Sequence, residues 1–550
     1  MASSVIIPQV LPNTKGMPPR IPRASHRHAA PSGPWPWADI DEDNPLDPRS
    51  TGESHNSRDP ISWTGYPTSL FRNWTAVRLE KSGIAKLIKE RKGSEPPHCV
   101  IYYVDVNDEG RFSKPSHHEV MPENEKEFWC RIQAKRPDGT RIRAIFIENM
   151  SGPVMQMLGT KYRIEPFFFS SSLNWIPSRY QEENPDDGSD HITIVLNFLR
   201  AIDNPTLNIS PLSCGPKRVL SRAGTVMIDT QAPLSLCSSA WNDKVVLIDV
   251  LALHMVRHKN SSTVITYHPP REWHSTSARI LHSRFRFAGQ SVYWRSIFSQ
   301  SDDPTFVLLS LLWHALYAWD EALETLYAHI CWLETEILVT NDVYQTRELH
   351  VIRASLLHYT SLLEDFKKAV LFVQNTPSPT MLDHPERQLS MHVMDRECNV
   401  LVSEIDRLEM FRKTQDMRLE NLVNLAFNNV NFQDSQDMRS LTEATLRDSA
   451  VMKQISYLTM VFLPASFAAS VFGMNIENLT EGAHGKLVHY VVVAVLLTAA
   501  SIWVLVALHN KHRHEDSDIS FATRLQWPVT NLIRWTVGRR NRVKEPRHFV

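Results

Sequence analysis

Gly473-Met474-Asn475 closes a run, Gln454 to Ile476, that contains no charged side chain. After Glu477 to Lys486 a second uncharged run extends from Leu487 to Leu508. Each exceeds the roughly 20 apolar residues with which a helix crosses a bilayer. The spacing predicts two transmembrane helices, 454–476 and 487–508, joined by an outer loop, 477–486. A Gly-Met-Asn tripeptide alone is weak, because a capping glycine followed by a capping asparagine accounts for it. Its place between two uncharged runs gives it weight.

The arrangement resembles the CorA family of divalent-cation channels, in which this tripeptide precedes a short outer loop between two C-terminal helices. The close likeness covers about Met452 to Leu508. Phe472 takes the aromatic place before the glycine, and Pro464 that of a proline inside the first helix. Glu477 and Glu481 fit the acidic loop the family often shows. Upstream the resemblance is one of architecture only. It implies an α+β soluble N-terminal domain, then a long α-helical stalk and two C-terminal transmembrane helices, together a funnel. It also implies a homopentamer with the first helix inside, a number that the sequence does not show.

The helix before the tripeptide carries a stripe. Counting back from Asn475, Ser470, Ser466, Leu463, Thr459, Ile455 and Met452 follow at steps of three or four, so they share one face. Hydroxyls in a membrane segment are costly unless they face a wet cavity or a neighbouring helix. Lining a pore and bonding between helices are the two readings, and the adjacent tripeptide favours the pore. Apolar rings at Met452, Ile455 and Leu463 suit a gate that closes by dewetting. Asn475 is the candidate selectivity residue and metal ligand. Mg²⁺ gives up its water reluctantly, so a ring of amide oxygens would hold it through its hydration shell. Gly473 frees backbone carbonyls there, and Met474 is expected to pack against neighbouring protomers. Glu477 and Glu481 would set a negative ring at the outer mouth and concentrate cations. Asn478-Leu479-Thr480 matches a glycosylation sequon too close to the membrane to be used.

Two helices cannot enclose a polar path, so conduction needs several copies around an axis. The expected partners are the chain itself, the lipid bilayer and divalent cations. A net charge of −1 gives no reason to expect nucleic acid. No nucleotide-binding loop, catalytic triad or zincin motif occurs, so no enzyme is expected and no cofactor beyond Mg²⁺ as cargo and candidate regulator. Zn²⁺, Co²⁺ or Ni²⁺ as cargo, and a membrane-anchored scaffold that no longer conducts, are the alternatives.

Six scattered cysteines without a C-x-x-C suit free thiols in a reducing compartment. Residues 1–60 hold eleven prolines and read as a disordered tail. The acid-free stretch 1–38, with Lys15, Arg20, Arg23 and Arg27, faintly resembles a mitochondrial transit peptide, but the prolines oppose its helix. Residues 61–300 read as a cytosolic mixed α/β domain. Its expected strands are Cys99–Val106, Arg141–Glu148, Ile192–Phe198, Val245–Leu251 and Thr263–Tyr267. Phe167-Phe168-Phe169 is expected in the core, with a partner surface as the functional alternative.

Residues 301–453 read as a cytosolic helical region and stalk, with helices over 304–340 and 342–374. From Glu386 to Leu463 there are 78 residues with neither Gly nor Pro. They predict a rod of roughly 115 Å continuing into the membrane, with Asp383 as its cap and Pro385 in its first turn. Leu401, Ile405, Leu408, Leu419 and Leu422 recur along it, so it needs neighbours, some from this chain and the rest from symmetry mates.

From Lys511 onward, nine Lys/Arg face four Asp/Glu. That excess marks a cytoplasmic flank, and two crossings then place both termini in the cytosol. The plasma membrane is expected before the mitochondrial inner membrane. The aromatic and basic tail 509–550 reads equally as a helix on the membrane surface and as a segment packed on the soluble domain. His509, His512 and His514 suit a basic flank better than a transition-metal site. Asp320, Glu321 and Glu324 read as a solvated helix face, with Mg²⁺ sensing between protomers as the sharper alternative.

Overall fold

The structure, a computed structural model, describes residues 18–22, 29–30, 33–34, 62–89, 98–184, 189–205, 228–236, 243–258, 261–339, 343–473 and 486–509. Most of the proline-rich segment 1–60 and the whole of 510–550 lie outside them. The chain divides into two compact units, Met1–Asn428 and Asn429–Val550.

In the first unit a two-residue hairpin, β1 (Ala29–Ala30) and β2 (Gly33–Pro34), precedes an eight-stranded sheet. Five of its strands are those expected from sequence: β3 (Cys99–Asn107), β5 (Thr140–Glu148), β7 (Ser189–Asp203), β9 (Lys244–Arg257) and β10 (Ser262–His268). Three were not expected: β4 (Ser116–Val120), β6 (Ser178–Asn184) and β8 (Leu234–Leu236). The order is β4-β3-β5-β10-β9-β7-β6, with β8 beside β9. Among the described residues only the β5–β10 pair is parallel.

Helices cover both faces of the sheet. α1 (Ala76–Lys81), α2 (Ile84–Lys89), α3 (Glu125–Gln133), α4 (Gly152–Tyr162) and α5 (Phe167–Leu173) come before or between strands. α5 packs on β7 and β9. Phe167, Phe168 and Phe169 are buried there, so the core reading of this run holds. On the other face lie α6 (Ala278–Gln290), α8 (Phe306–Val339) and α9 (Val343–Gln374), with α7 (Val292–Gln300) next to α6. Alternation along β7 follows from this. Thr193 meets His254 of β9 beside Phe168, whereas Phe198 meets His314 of α8 edge to face. A strand covered twice is apolar almost throughout, as Ile192 to Leu199 is. Gly110 occupies a turn at φ +72°, where a Cβ would lie 2.5 Å from the Phe298 carbonyl oxygen.

α10 runs unbroken from Arg387 to Gly473, 87 residues with Pro464 inside. Its start differs from expectation. His384, not Asp383, meets the first free amides: its Nδ1 accepts from Glu386 at 3.3 Å and its carbonyl from Arg387 at 3.2 Å. Pro385 therefore precedes the first turn. Leu401, Ile405, Leu408, Leu419 and Leu422 are all buried within the single chain. Polar bonds accompany them: Gln415 donates to the Leu323 carbonyl at 2.9 Å, Arg412 to that of Leu356 at 3.3 Å, and Lys367 to Asp406 at 2.6 Å. This stretch of the stripe thus needs no symmetry mate. α8 and α9 complete a three-helix bundle, each buried leucine contributing about 1.5–3 kcal/mol.

A buried ion pair ties sheet to bundle. Arg257 of β9 holds both carboxylate oxygens of Asp190 on β7, the Nε–Oδ1 bond being 2.7 Å. It also donates to Thr305 Oγ1 at 3.0 Å and to the Thr376 carbonyl at 3.1 Å, just beyond α9. A charge taken out of water needs this many partners.

The second unit contains the C-terminal part of α10 and α11 (Lys486–His509). α10 includes a segment apolar and long enough to cross a membrane, and Val488–Trp503 is a shorter apolar stretch of α11.

Candidate functional site

The six stripe residues, Met452, Ile455, Thr459, Leu463, Ser466 and Ser470, all fall on α10 and all are exposed in the single chain. At about 100° per residue they span one narrow sector. Pro464 and Ala468, the buried residues of this segment, lie on the opposite side. Phe462 and Phe467 are exposed too, so exposure is not confined to the stripe. An apolar helix this bare requires lipid or further protein around it.

Two of the three stripe hydroxyls are tied to their own helix. Thr459 Oγ1 donates to the Ile455 carbonyl at 2.6 Å, and Ser466 Oγ to that of Leu463 at 2.9 Å. Such bonds satisfy the donor and leave oxygen lone pairs outward. Pro464 has no amide hydrogen for the Met460 carbonyl one turn earlier, which frees an acceptor in the same segment. Met452 to Ser470 therefore offers oxygen acceptors and apolar surface, with Lys453 its one charged side chain and off the stripe.

Gly473 ends the helix with open space where a Cβ would stand. Met474, Asn475, Glu477, Asn478 and Glu481 lie outside the described residues, as do His512 and His514. The structure thus brings the six stripe residues and Gly473 onto one helix.

Among the described residues no three His, Cys, Asp or Glu side chains converge as metal ligands. Asp320 is taken by Arg407 of α10 at 2.8 Å. Cys99, Cys130, Cys331 and Cys398 are free thiols. The buried titratable groups of the sheet domain are structural. Burial, then the Arg284 charge, drives His314 down to about 3. Burial lowers His254 as well, its Nδ1 lying 2.9 Å from Thr193 Oγ1. Asp249 is held by Arg200 at 3.1 Å and by the amide and hydroxyl of Thr276, both at 2.7 Å.

A sheet domain joined through a helical bundle to a helix with a membrane-length apolar end defines the class: a protein with a large α/β body and a C-terminal helix long and apolar enough to cross a membrane. Residues 291–511, from α7 through α11, match the family described as "CorA-like Mg2+ transporter protein". Proteins of that family are homo-oligomeric membrane transporters, not enzymes. No curated protein matches the chain. Among solved structures, the complete CorA magnesium transporter from Methanocaldococcus jannaschii aligns at 13% identity and TM-score 0.39, over 74% of this chain and 96% of that one. The full-length CmaX protein aligns at 11% identity and TM-score 0.37, over 76% and 100%. The ZntB cytoplasmic domain from Vibrio parahaemolyticus aligns at 11% identity and TM-score 0.32, over 61% and 99%.

Proposed function

We propose that this chain is a channel for passive influx of Mg²⁺, assembled as a homopentamer in the plasma membrane with both termini cytosolic. The observation that carries the reading is the uncharged stripe from Met452 to Ser470, which leads on one helix face to Gly473 and so into the Gly-Met-Asn tripeptide. It lies inside the segment that matches the transporter family.

In this reading 454–476 and 487–508 cross the bilayer and the first lines the axis. Glu477 and Glu481 gather cations at the outer mouth. The Asn475 amides hold the hydrated ion through its water shell, and neutral oxygens bind weakly enough to let it leave. Carbonyls freed near Gly473 assist. The ion then passes the oxygens of Ser470, Ser466 and Thr459. Leu463, Ile455 and Met452 form constrictions that close by dewetting. A divalent ion gains about 4.6 kcal/mol per 100 mV on moving inward, so the potential suffices as driving force.

Zn²⁺, Co²⁺ and Ni²⁺ are the competing cargoes. Purified full-length chain in sealed vesicles, given an inside-negative potential, separates them. Mg²⁺ should enter and carry current, with Zn²⁺ entry far slower. Entry of Zn²⁺ without Mg²⁺ would change the cargo, and entry of neither would leave the scaffold reading.

A further inference from the structure

Helices α6 and α7 carry Arg279, Arg284, Arg286 and Arg295 and no acidic residue. Helix α8 is the reverse, with Asp320, Glu321, Glu324, Glu334 and Glu336 and no lysine or arginine. Like charges gathered on one element repel, so the segregation has a cost that something must offset. Part of it is met inside the chain. Arg407 reaches Asp320 at 2.8 Å, Arg418 reaches Glu334 at 2.9 Å, and Arg284 donates to His314 Nδ1 at 3.1 Å. The rest is not: among the described residues Arg286 and Arg295 meet no acid, and Glu321 and Glu324 no base, within ion-pair distance.

Both patches also expose large apolar groups. Phe287 and Val292, at the corner between α6 and α7, are 77% and 88% exposed, and Tyr317, one turn before Glu321 on α8, is 65% exposed. A phenylalanine and a valine this bare beside uncompensated arginines have the composition of an interface, where arginine and aromatic residues are enriched.

We infer that the α6–α7 corner of one copy docks on α8 of a neighbouring copy, with Arg286 and Arg295 against Glu321 and Glu324, and Phe287 and Val292 against Tyr317. The occupant follows from the signs. An anionic partner of another kind would answer the arginines and leave the α8 carboxylates unmet. A second copy of this chain brings both halves, so one contact compensates both and recurs through a closed assembly. The inference rests on the homo-oligomeric reading above and adds the contact by which the sheet-and-bundle units recognise one another.

The test uses full-length chain in detergent, with assembly mass followed against concentration and salt. Glu321→Arg with Glu324→Arg, and separately Arg286→Glu with Arg295→Glu, should each weaken association about tenfold. All four changes together should restore it, since the charges are then exchanged. Raising ionic strength should weaken the wild-type assembly and the exchanged variant alike. Thermal unfolding of each variant guards against misfolding, and it should barely move for the exposed Arg295, Glu321 and Glu324 and move little for the half-buried Arg286. An oligomer that neither reversal weakens overturns the docking, as does a fourfold variant no better associated than the twofold ones. In either case Mg²⁺ flux in vesicles still reports separately on the channel. A wild-type chain monomeric at every concentration overturns both readings.

Discussion

Glu182, on the edge strand β6, is held against Glu165 of the α4–α5 connection, and burial followed by the Glu165 charge pushes its carboxyl up to about 8. The folded chain therefore keeps a proton that the unfolded chain gives up above the ordinary carboxylate range. Between about 4.5 and 8 the native state binds more protons, so stability falls as pH rises through that window and levels off above it. Thermal unfolding of Glu182→Gln should show a flatter decline over the same window, and an unchanged slope would contradict the assignment. His314 acts in the opposite sense below about 6.5. Its lowered pKa means that the unfolded chain takes up the proton first, so stability is lost as pH falls. Neither effect is legible in sequence, because Glu165 and Glu182, or Arg284 and His314, meet only after strands and helices distant in the chain have packed. By contrast the stripe from Met452 to Ser470 depends only on local helix geometry, and counting residues was enough to find it.

At the scale of elements the legible parts were those with strong local patterns. β3, β5, β7, β9 and β10 are apolar, β-branched runs. β4 reads Ser-His-His-Glu-Val and β6 Ser-Arg-Tyr-Gln-Glu-Glu-Asn, and both lie at sheet edges, where one side faces solvent and little apolar patterning is needed. The absence of Gly and Pro announced the length of α10, but its cap was misplaced by one residue because His384 can supply the same acceptor as an aspartate. The link between Arg257 and Asp190 gives an element-scale prediction. Arg257→Met strands a buried carboxylate and should cost about 3–5 kcal/mol, whereas adding Asp190→Leu should recover most of it. Chemical denaturation would check this, and a double variant as unstable as the single one would show that the pair has another role. On α10 itself, Leu463→Asp would set charges on the proposed axis and should alter conduction strongly, while Ser501→Ala on α11 should leave it nearly unchanged. Equal effects in a flux assay would remove the first helix from the pore wall.

At the scale of the whole molecule the charge of the C-terminal segment is the basis of the proposed orientation. Nine basic residues against four acidic from Lys511 onward predict that tags before Val5 and after Val550 are both protected in intact cells. Surface labelling of either tag would reverse the topology. The bundle of α8, α9 and α10 was foreseen as helices, but the completeness with which one chain buries Leu401 to Leu422 was not, since a leucine stripe looks the same whether its neighbour is internal or a second copy. The central claim, that Asn475 forms the entry site of a Mg²⁺ channel, is tested most directly by flux through Asn475→Ala. Wild-type and variant chains would be reconstituted at equal oligomer content in sealed vesicles under the same inside-negative potential, and Mg²⁺ entry recorded. The account predicts rapid entry for the wild type and entry at the level of empty vesicles for the variant. Entry through Asn475→Ala at the wild-type rate would contradict it.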